Sequence, residues 1–408
     1  MSNVTPDGTQ KQHWMPKFQR ELRKRLVSKA FCEVYSGPDR IIHNPYGNDP
    51  IGYDGASQTS YSITDFTLGE NSMSVTRRAG AAEHIDNIEQ LQTRYDLAQD
   101  RAQRHSYVTK DKIDQYMLAL PVVAAGVQDI DAGYMSSGVS NGTPIASSNS
   151  NIEDTANAVI ERLGVVNGAT DRGIFWAISP FELTDVSSFS QNNGFNVADA
   201  AIKNGVVDGA PFAGISRLVV TNNLTHTQVL GLATLPTDGD TITINGVTIT
   251  FVATLSETSG ASEVHIASTV DITRANLVEF LNAFGANSEA EATDTGYSST
   301  TAANQLILGK LQLAAVNDNS ANTMTLTTRG TLITSEVLTD ATDAWATVKR
   351  HTIAGVIGSM FLALPSDDGE FKKIDVSGKH GKEITTSQIY NGTIWNNNLP
   401  EVIDVVMS

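Results

Sequence analysis

Two apolar, β-branched runs of strand length dominate this chain: Gly205–Leu224 (GVVDGAPFAGISRLVVTNNL) and, after a long detour, Thr352–Leu364 (TIAGVIGSMFLAL). Each is bounded by Gly, Asn or Pro and reads as core strands of one sheet. The 126 residues from Thr225 to Arg350 between them carry their own turn punctuation. A host domain is therefore expected to be interrupted by a guest. Excision of Thr227–Arg350 is then expected to leave the host able to fold.

At 408 residues the chain exceeds one ordinary core, and with 40% hydrophobic and 18% charged residues it belongs with globular proteins of two or three domains. No stretch approaches the roughly 20 apolar residues of a membrane span, and no apolar signal segment opens the N-terminus. Cys32 stands alone, so no internal disulfide is possible, which suits a reducing cytoplasm. The net charge of −17 disfavours a broad grip on nucleic acid, because phosphate binding needs clustered cations.

Residues 11–29 are the exception. Lys11, Lys17, Arg20, Arg23, Lys24, Arg25 and Lys29 face only Glu21, a local +6. Phe18, Leu22, Leu26 and Ala30 recur every four residues, predicting an amphipathic helix. Its cations could be a solvated face packed on a neighbour, a contact for an acidic partner or packaged nucleic acid, or a membrane-surface face.

From Ile41 to Ala82, short extended pieces alternate with turn residues (Asn44, Pro45, Gly47, Pro50, Gly52, Asp54, Gly55). The pattern predicts a long β-hairpin carrying Tyr46, Tyr53, Tyr61, Phe66, Arg77 and Arg78, with almost no apolar face of its own. A two-stranded ribbon is marginal alone in water, so it needs another surface, such as another subunit; the alternative is an ordinary mobile loop. Next, Glu83–His105 places Ile85, Ile88, Leu91, Tyr95, Ala98 and Ala102 on one stripe and predicts a straight helix roughly 34 Å long. Asp86, Glu89, Arg94, Asp96, Asp100 and Arg101 form its other, solvated or intersubunit face. Thr109–Leu120 should resume helix and Pro121 should end it.

An α/β portion is expected next. Ile152–Leu163 should be a helix closed by Gly164, Gly173–Ile178 a strand, and Ser179-Pro180 the start of another helix, with a short one around Val197–Lys203. Inside the guest, DTITINGVTITF (Asp240–Phe251) alternates Thr and Ile about Asn245-Gly246, the dipeptide favoured by a type I′ hairpin turn. Val264 and Ile266 suggest another strand, Asp271–Phe284 a helix closed by Gly285, and Met324–Thr327 a further strand. Thr fills 25 of the 126 guest positions, and 13 acids stand against 5 bases. An acidic, outward-facing α+β domain is the expectation.

Motifs that carry chemistry are scarce. The eight His show no metal-ligand spacing and one Cys cannot build a thiolate zinc site, so no metal or cofactor is expected. Phosphate-binding and nucleophile-elbow glycine motifs are missing, so no enzyme is expected. Asp294-Thr295-Gly296 matches the aspartic-protease tripeptide, but it lies in a polar stretch without the second copy that a carboxylate pair requires. Asp367-Asp368-Gly369 lacks the other ligands of a calcium loop and suits a turn.

The order of pieces says more than any one of them: basic arm, long hairpin, long helix, α/β region, the Gly205–Leu224 strands, then Gly381–Trp395 (GKEITTSQIYNGTIW) and a terminal strand Val402–Met407. This series resembles the major capsid proteins of tailed bacteriophages, the Hong Kong 97 fold. The resemblance covers roughly residues 14–224 and 351–408. It implies an α+β fold with an N-terminal arm (1–40), an E-loop (41–82), a peripheral P-domain with the spine helix (83–150), an axial A-domain (151–224), an inserted β-rich α+β domain (225–350) and a return to both domains (351–408). It further implies hexamers and pentamers tiling an icosahedral shell around double-stranded DNA, a virion component assembled in the host cytoplasm without a membrane. Expected partners are a separate scaffolding protein, a portal and a decoration protein.

Two departures qualify the likeness. Some relatives cross-link through an E-loop lysine, whereas no Lys occurs here between Lys29 and Lys110, so a noncovalent shell is expected. Others carry a long scaffolding segment, whereas about 13 residues precede Trp14, hence the separate scaffold. The competing readings are an encapsulin-like nanocompartment shell, a tail, spike or adhesin protein built around the guest, and a soluble hydrolase, for which no nucleophile with a base is found.

Overall fold

The run Thr352–Leu364 folds into two strands, Lys349–Val356 and Met360–Ala363, joined by a tight turn in which Gly358 takes a φ of 88°. The left-handed conformation there is open to Gly at no steric cost. Each strand lies in a different sheet, so this stretch stitches two layers together. The computed structural model describes residues 26–37, 41–47, 68–85, 97–165, 172–192, 206–256, 260–286, 289–292, 295–365, 370–375 and 382–408. Among them the strands form sheets of nine, six, five and two, beside six α-helices, an α+β architecture.

The nine-stranded sheet runs Ala314–Asp318, Thr323–Arg329, Thr225–Gly231, Lys349–Val356, Ile174–Ile178, Ile215–Val220 and Val206–Phe212. Val402–Met407 pairs with the other edge of Lys349–Val356, and Gln128–Ile130 lies parallel to Val402–Met407. Ile174–Ile178 is buried at all five positions and feeds both faces, as a central strand covered on two sides must. Trp176 and Ile178 pack against the helix Ile152–Val165, with Val159 and Leu163. Phe175 and Ala177 pack on the opposite face against Ile113, Met117 and Leu118 of the long helix Leu97–Val123. Phe31 stacks on Phe175 at 4.3 Å, tying the start of the described chain to this second core. Each such fully buried side chain contributes about 1.5–3 kcal/mol through water exclusion.

Ser179 begins the helix Pro180–Asn192 with a capping box: its N–H donates to Glu182 Oε2 at 2.9 Å, and its hydroxyl also meets that carboxylate. In the hairpin Val206–Phe212/Ile215–Val220 the turn falls at Ala213 (φ 46°) and Gly214 (φ 86°). The strand Lys382–Ile394 organises the five-stranded sheet. It pairs with Met360–Ala363, Glu370–Asp375 and Arg77–Ile85, while Glu33–Tyr35 lies parallel to Met360–Ala363.

The strands between residues 225 and 350 divide into two groups. Thr225–Gly231, Ala314–Asp318 and Thr323–Arg329 extend the nine-stranded sheet, whereas Thr241–Ile244, Val247–Val252, Glu263–His265, Glu289–Ala292, Thr295–Tyr297 and Thr334–Val337 form the six-stranded one. Between the groups lies a third core: Ile242, Ile244, Val247, Ile249 and Phe251 meet Leu277, Phe280 and Leu281 of the helix Val270–Asn282, with Leu230, Met324 and Leu326 from the extended sheet. Strand Lys349–Val356 is the splice. On one edge its first half bonds Thr225–Gly231 (Lys349↔Thr227, His351↔Thr225) and its second half bonds Ile174–Ile178 (Ile353↔Ala177, Val356↔Ile174).

Four local expectations need correction. Glu83–Ile85 end the strand Arg77–Ile85 rather than begin a helix, because pairing with Lys382–Ile384 fixes the backbone before a helical stripe can form. The long helix runs unbroken from Leu97 to Val123. Thr109, expected as a restart, donates its hydroxyl to His105 O (2.9 Å) within the helix. Pro121 does not end it, since the buried Met117 and Leu118 hold the last turn in place. Likewise Ile152–Val165 runs through Gly164. Val197–Lys203, Asp294 and Asp367–Gly369 lie outside the described residues.

Two predictions follow from the splice. Excising residues 227–350 behind a short Gly/Ser linker removes half the ladder on one edge of Lys349–Val356, contrary to the expectation from sequence. The host should then be recovered insoluble, while excising only residues 235–341, which spares both splice strands, should yield folded protein by circular dichroism. Equal folding of both would refute the splice as a host element. Second, His226 is 2% exposed, and burial above all pushes its pKa down to about 4; Arg350 and His351 reinforce this, while the Leu224 carbonyl and Glu182 oppose it. The fold holds the neutral ring, so its stabilisation is whole above pH 6.5 and is lost as pH falls towards 4. About 2 kcal/mol should vanish between pH 7 and pH 5. The denaturation midpoint should fall accordingly, and the fall should shrink in His226→Gln.

Candidate functional site

The hairpin forms a two-stranded sheet of its own among the described residues. Ile41–Gly47 and Leu68–Ser74 pair antiparallel, from Ile41↔Ser74 to Gly47↔Leu68, and no third described strand joins them. Ile41 (56%) and Leu68 (66%) stay exposed. Among the hairpin's described residues, Met73 and Val75 at the base are buried with Phe361, Ala363 and Trp395. Tyr46 pairs with Gly69 through the backbone, and Tyr53, Tyr61 and Phe66 lie outside the described residues.

Arg77 and Arg78 belong to the strand that follows the hairpin, opposite Tyr390 and Ile389. The Arg77 guanidinium sits 4.1 Å over the Tyr116 ring, which meets Tyr390 edge-on at 5.6 Å. The hairpin stem is thus stacked onto the long helix by a cation–π contact. Of the spine-helix residues, Ile88, Leu91, Arg94 and Tyr95 lie outside the described residues. Arg101 falls within Leu97–Val123, and its side chain is not among those described.

Lys17, Arg20, Arg23, Lys24 and Arg25 also lie outside the described residues, but the point where the basic run ends does not. Asp114, fully buried on the long helix, accepts the backbone N–H groups of Val27 and Ser28 (both 2.9 Å) and the Ser28 hydroxyl (2.7 Å). The arm is therefore pinned at its root by a charge-assisted triple contact. Sequence reasoning missed Asp114. Its signal was an acid four residues before Leu118, in an apolar helical phase where a carboxylate must find donors.

Asn245 (φ 47°) and Gly246 (φ 84°) form the two-residue turn between Ile244 and Val247, the geometry of type I′. The Asn245 side chain clasps a neighbouring loop: Nδ2 donates to Thr331 O (2.9 Å) and Oδ1 accepts from Ile333 N (2.8 Å). No reading of this hairpin alone could place that loop.

A polar line crosses the splice. Asp404 Oδ2 lies 2.7 Å from His351 Nδ1, and His351 Nε2 lies 2.9 Å from Thr227 Oγ1. The order of groups is that of a nucleophile relay. With the His351 and Asp404 side chains 10% and 5% exposed, however, a substrate carbonyl has no approach. The line rivets three strands instead. Beside it, Arg350 Nε donates to the buried Glu182 Oε1 (2.7 Å) and Nη2 to Ser408 O (2.6 Å), joining splice, helix and C-terminus. Among the described residues no group of three metal-ligating side chains converges, and no helix is long and apolar enough to cross a membrane.

No protein-family model matches the chain, and no curated protein matches it. Solved structures similar in chain course include the capsid of Ralstonia phage GP4 (9% identity, TM-score 0.49, covering 100% of this chain and 98% of that one). The capsid of cyanophage P-SCSP1u (9%, 0.47, 97% and 92%) and a structure from Mycobacterium phage Che8 (8%, 0.45, 91% and 85%) are others. At these identities and TM-scores the likenesses carry no argument about function.

Proposed function

We propose that this chain is a major capsid protein that self-assembles into the icosahedral head of a tailed bacteriophage. The observation that carries the reading is the hairpin Ile41–Gly47/Leu68–Ser74, which buries Met73 and Val75 on one face of its base and leaves Ile41 at the base and Leu68 at the far end exposed. Such a ribbon gains stability only by lying on something else. In a closed shell that something is an identical copy, and each copy both lends and receives the contact. The arm root on Asp114, the stem stacked on Tyr116 and the strand Lys382–Ile394 supply the rigid frame from which such extensions would project.

On this reading residues 1–40 are the arm, 41–82 the E-loop, 83–150 the P-domain and 151–224 the A-domain, with 351–408 returning to both. Residues 225–350 form the inserted domain, facing outward for capsomer stability, decoration or surface contact. Hexamers and pentamers enclose double-stranded DNA without reading its sequence, and a scaffold, a portal and a decoration protein are the partners. The particle is a virion head assembled in the host cytoplasm. Many modest contacts repeated around each capsomer would hold it noncovalently.

Replacing residues 48–67 with Asn-Gly tests this directly. The shortened subunit should keep its melting temperature, because the anchored base is intact, yet give no closed shells by electron microscopy where the unaltered chain gives them. Normal shells from the shortened chain would remove the hairpin from assembly.

A further inference from the structure

Where the extended sheet reaches the long helix, three cations from three separate parts of the chain converge. Arg77 comes from the strand after the hairpin, Lys112 from the helix Leu97–Val123, and Arg329 from the end of Thr323–Arg329. Tyr116 and Tyr390 sit among them: Arg77 stacks on Tyr116 at 4.1 Å, Tyr116 meets Tyr390 edge-on at 5.6 Å, and both phenols act electrostatically on Arg329. None of the three cations forms an ion pair with a described residue.

Asp111 offsets the charge of Lys112 in part, and the other polar neighbours that hold Arg329 are neutral amides. Arg329 Nη1 donates to Gln312 Oε1 (3.2 Å), Gln312 donates to Gln115 Oε1, and Gln115 Nε2 donates to Asp111 Oδ2 (3.1 Å). Asp111 Oδ1 accepts from Asn223 Nδ2 (2.9 Å), so the acid that acts on Lys112 already holds amides on both oxygens. Arg77 is exposed, and Arg329 and Lys112 are half-buried. Burial weakens the hold of Arg329 on its proton; Tyr390 opposes this, repulsion from Arg77 adds to it, and Tyr116 opposes it in turn. Burial likewise lowers Lys112, opposed by Asp111 and reinforced by Arg329. Half-buried like charges of this kind are costly until an anion joins them.

We propose that Arg77, Lys112 and Arg329, flanked by Tyr116 and Tyr390, form a notch that receives a carboxylate side chain from a second copy of this chain. The inference rests on the shell reading above and names a contact within it. Charge complementarity favours this occupant: the chain carries −17, with 13 acids against 5 bases between residues 225 and 350, so a neighbouring copy has more carboxylates than cations to offer. A guanidinium pair is well suited to the two oxygens of a carboxylate. Arg77 also directly follows the hairpin that the shell reading places on a neighbour.

The test compares the wild-type chain with a Lys112→Gln/Arg329→Gln pair and with a charge-keeping Lys112→Arg/Arg329→Lys pair. The threshold concentration for shell formation is read by light scattering at roughly 50 and 500 mM NaCl, where screening differs several-fold in length. The Gln pair should raise the low-salt threshold about tenfold or more and flatten its salt response, while the charge-keeping pair stays near wild type. A Gln-pair threshold within about twofold of wild type, with wild-type shells forming normally, would overturn the notch and leave the shell reading standing. Equal losses in both pairs would mean packing rather than charge, and would overturn it as well. A wild-type threshold that falls on adding inorganic phosphate, with no such fall in the Gln pair, would assign the notch to phosphate instead of a neighbour's carboxylate. Wild-type chain that forms no shells at either salt would defeat the shell reading and the notch with it.

Discussion

One strand must satisfy three neighbours at once, and most of the molecule is arranged around that requirement. Lys349–Val356 bonds Val402–Met407 along one edge and divides its other edge between Thr225–Gly231 and Ile174–Ile178. A backbone buried this deeply has no water to fall back on, so every N–H and C=O needs a partner in the chain. The polar side chains at the splice follow from the same demand. His351, Asp404, Thr227, Arg350 and Glu182 sit where three strands and a helix must stay in register, and breaking such a buried pair strands a charge.

Sequence periodicity read the local elements well where one face was plainly apolar. Val402–Met407 and the Asn245-Gly246 hairpin have the predicted bounds or turn, because alternation and a two-residue turn are local signals. The long helix shows where such signals stop. Its Thr and Pro look like breaks, yet the packing of Ile113, Met117 and Leu118 against Phe175 and Leu362 outweighs them. Nor could a linear pattern show that Thr225–Gly231 and Thr323–Arg329 would extend a sheet built by distant residues. Register between strands a hundred residues apart is a tertiary fact.

The candidate site residues divide along the same line. Arg77 was visible as a cation beside a hairpin, but its seat on Tyr116 and its nearness to Arg329 come from three separated segments meeting. Asp114 was hidden inside an apolar stripe, and its donors Val27 and Ser28 lie nearly ninety residues earlier. Composition alone could suggest the polarity of the surface: a strongly acidic chain leaves its few convergent cations conspicuous.

The splice also sets how the molecule bears load. Thr225–Gly231 and Lys349–Val356 run antiparallel and carry both connections to the segment between them, side by side. A tug on that segment would therefore travel along the axis of Lys349–Val356 and press on its ladder to Val402–Met407 sideways, all rungs together rather than one after another. Zippers open easily when peeled and resist when sheared. Force applied to that segment would pass into the central sheet instead of stripping its strands one bond at a time.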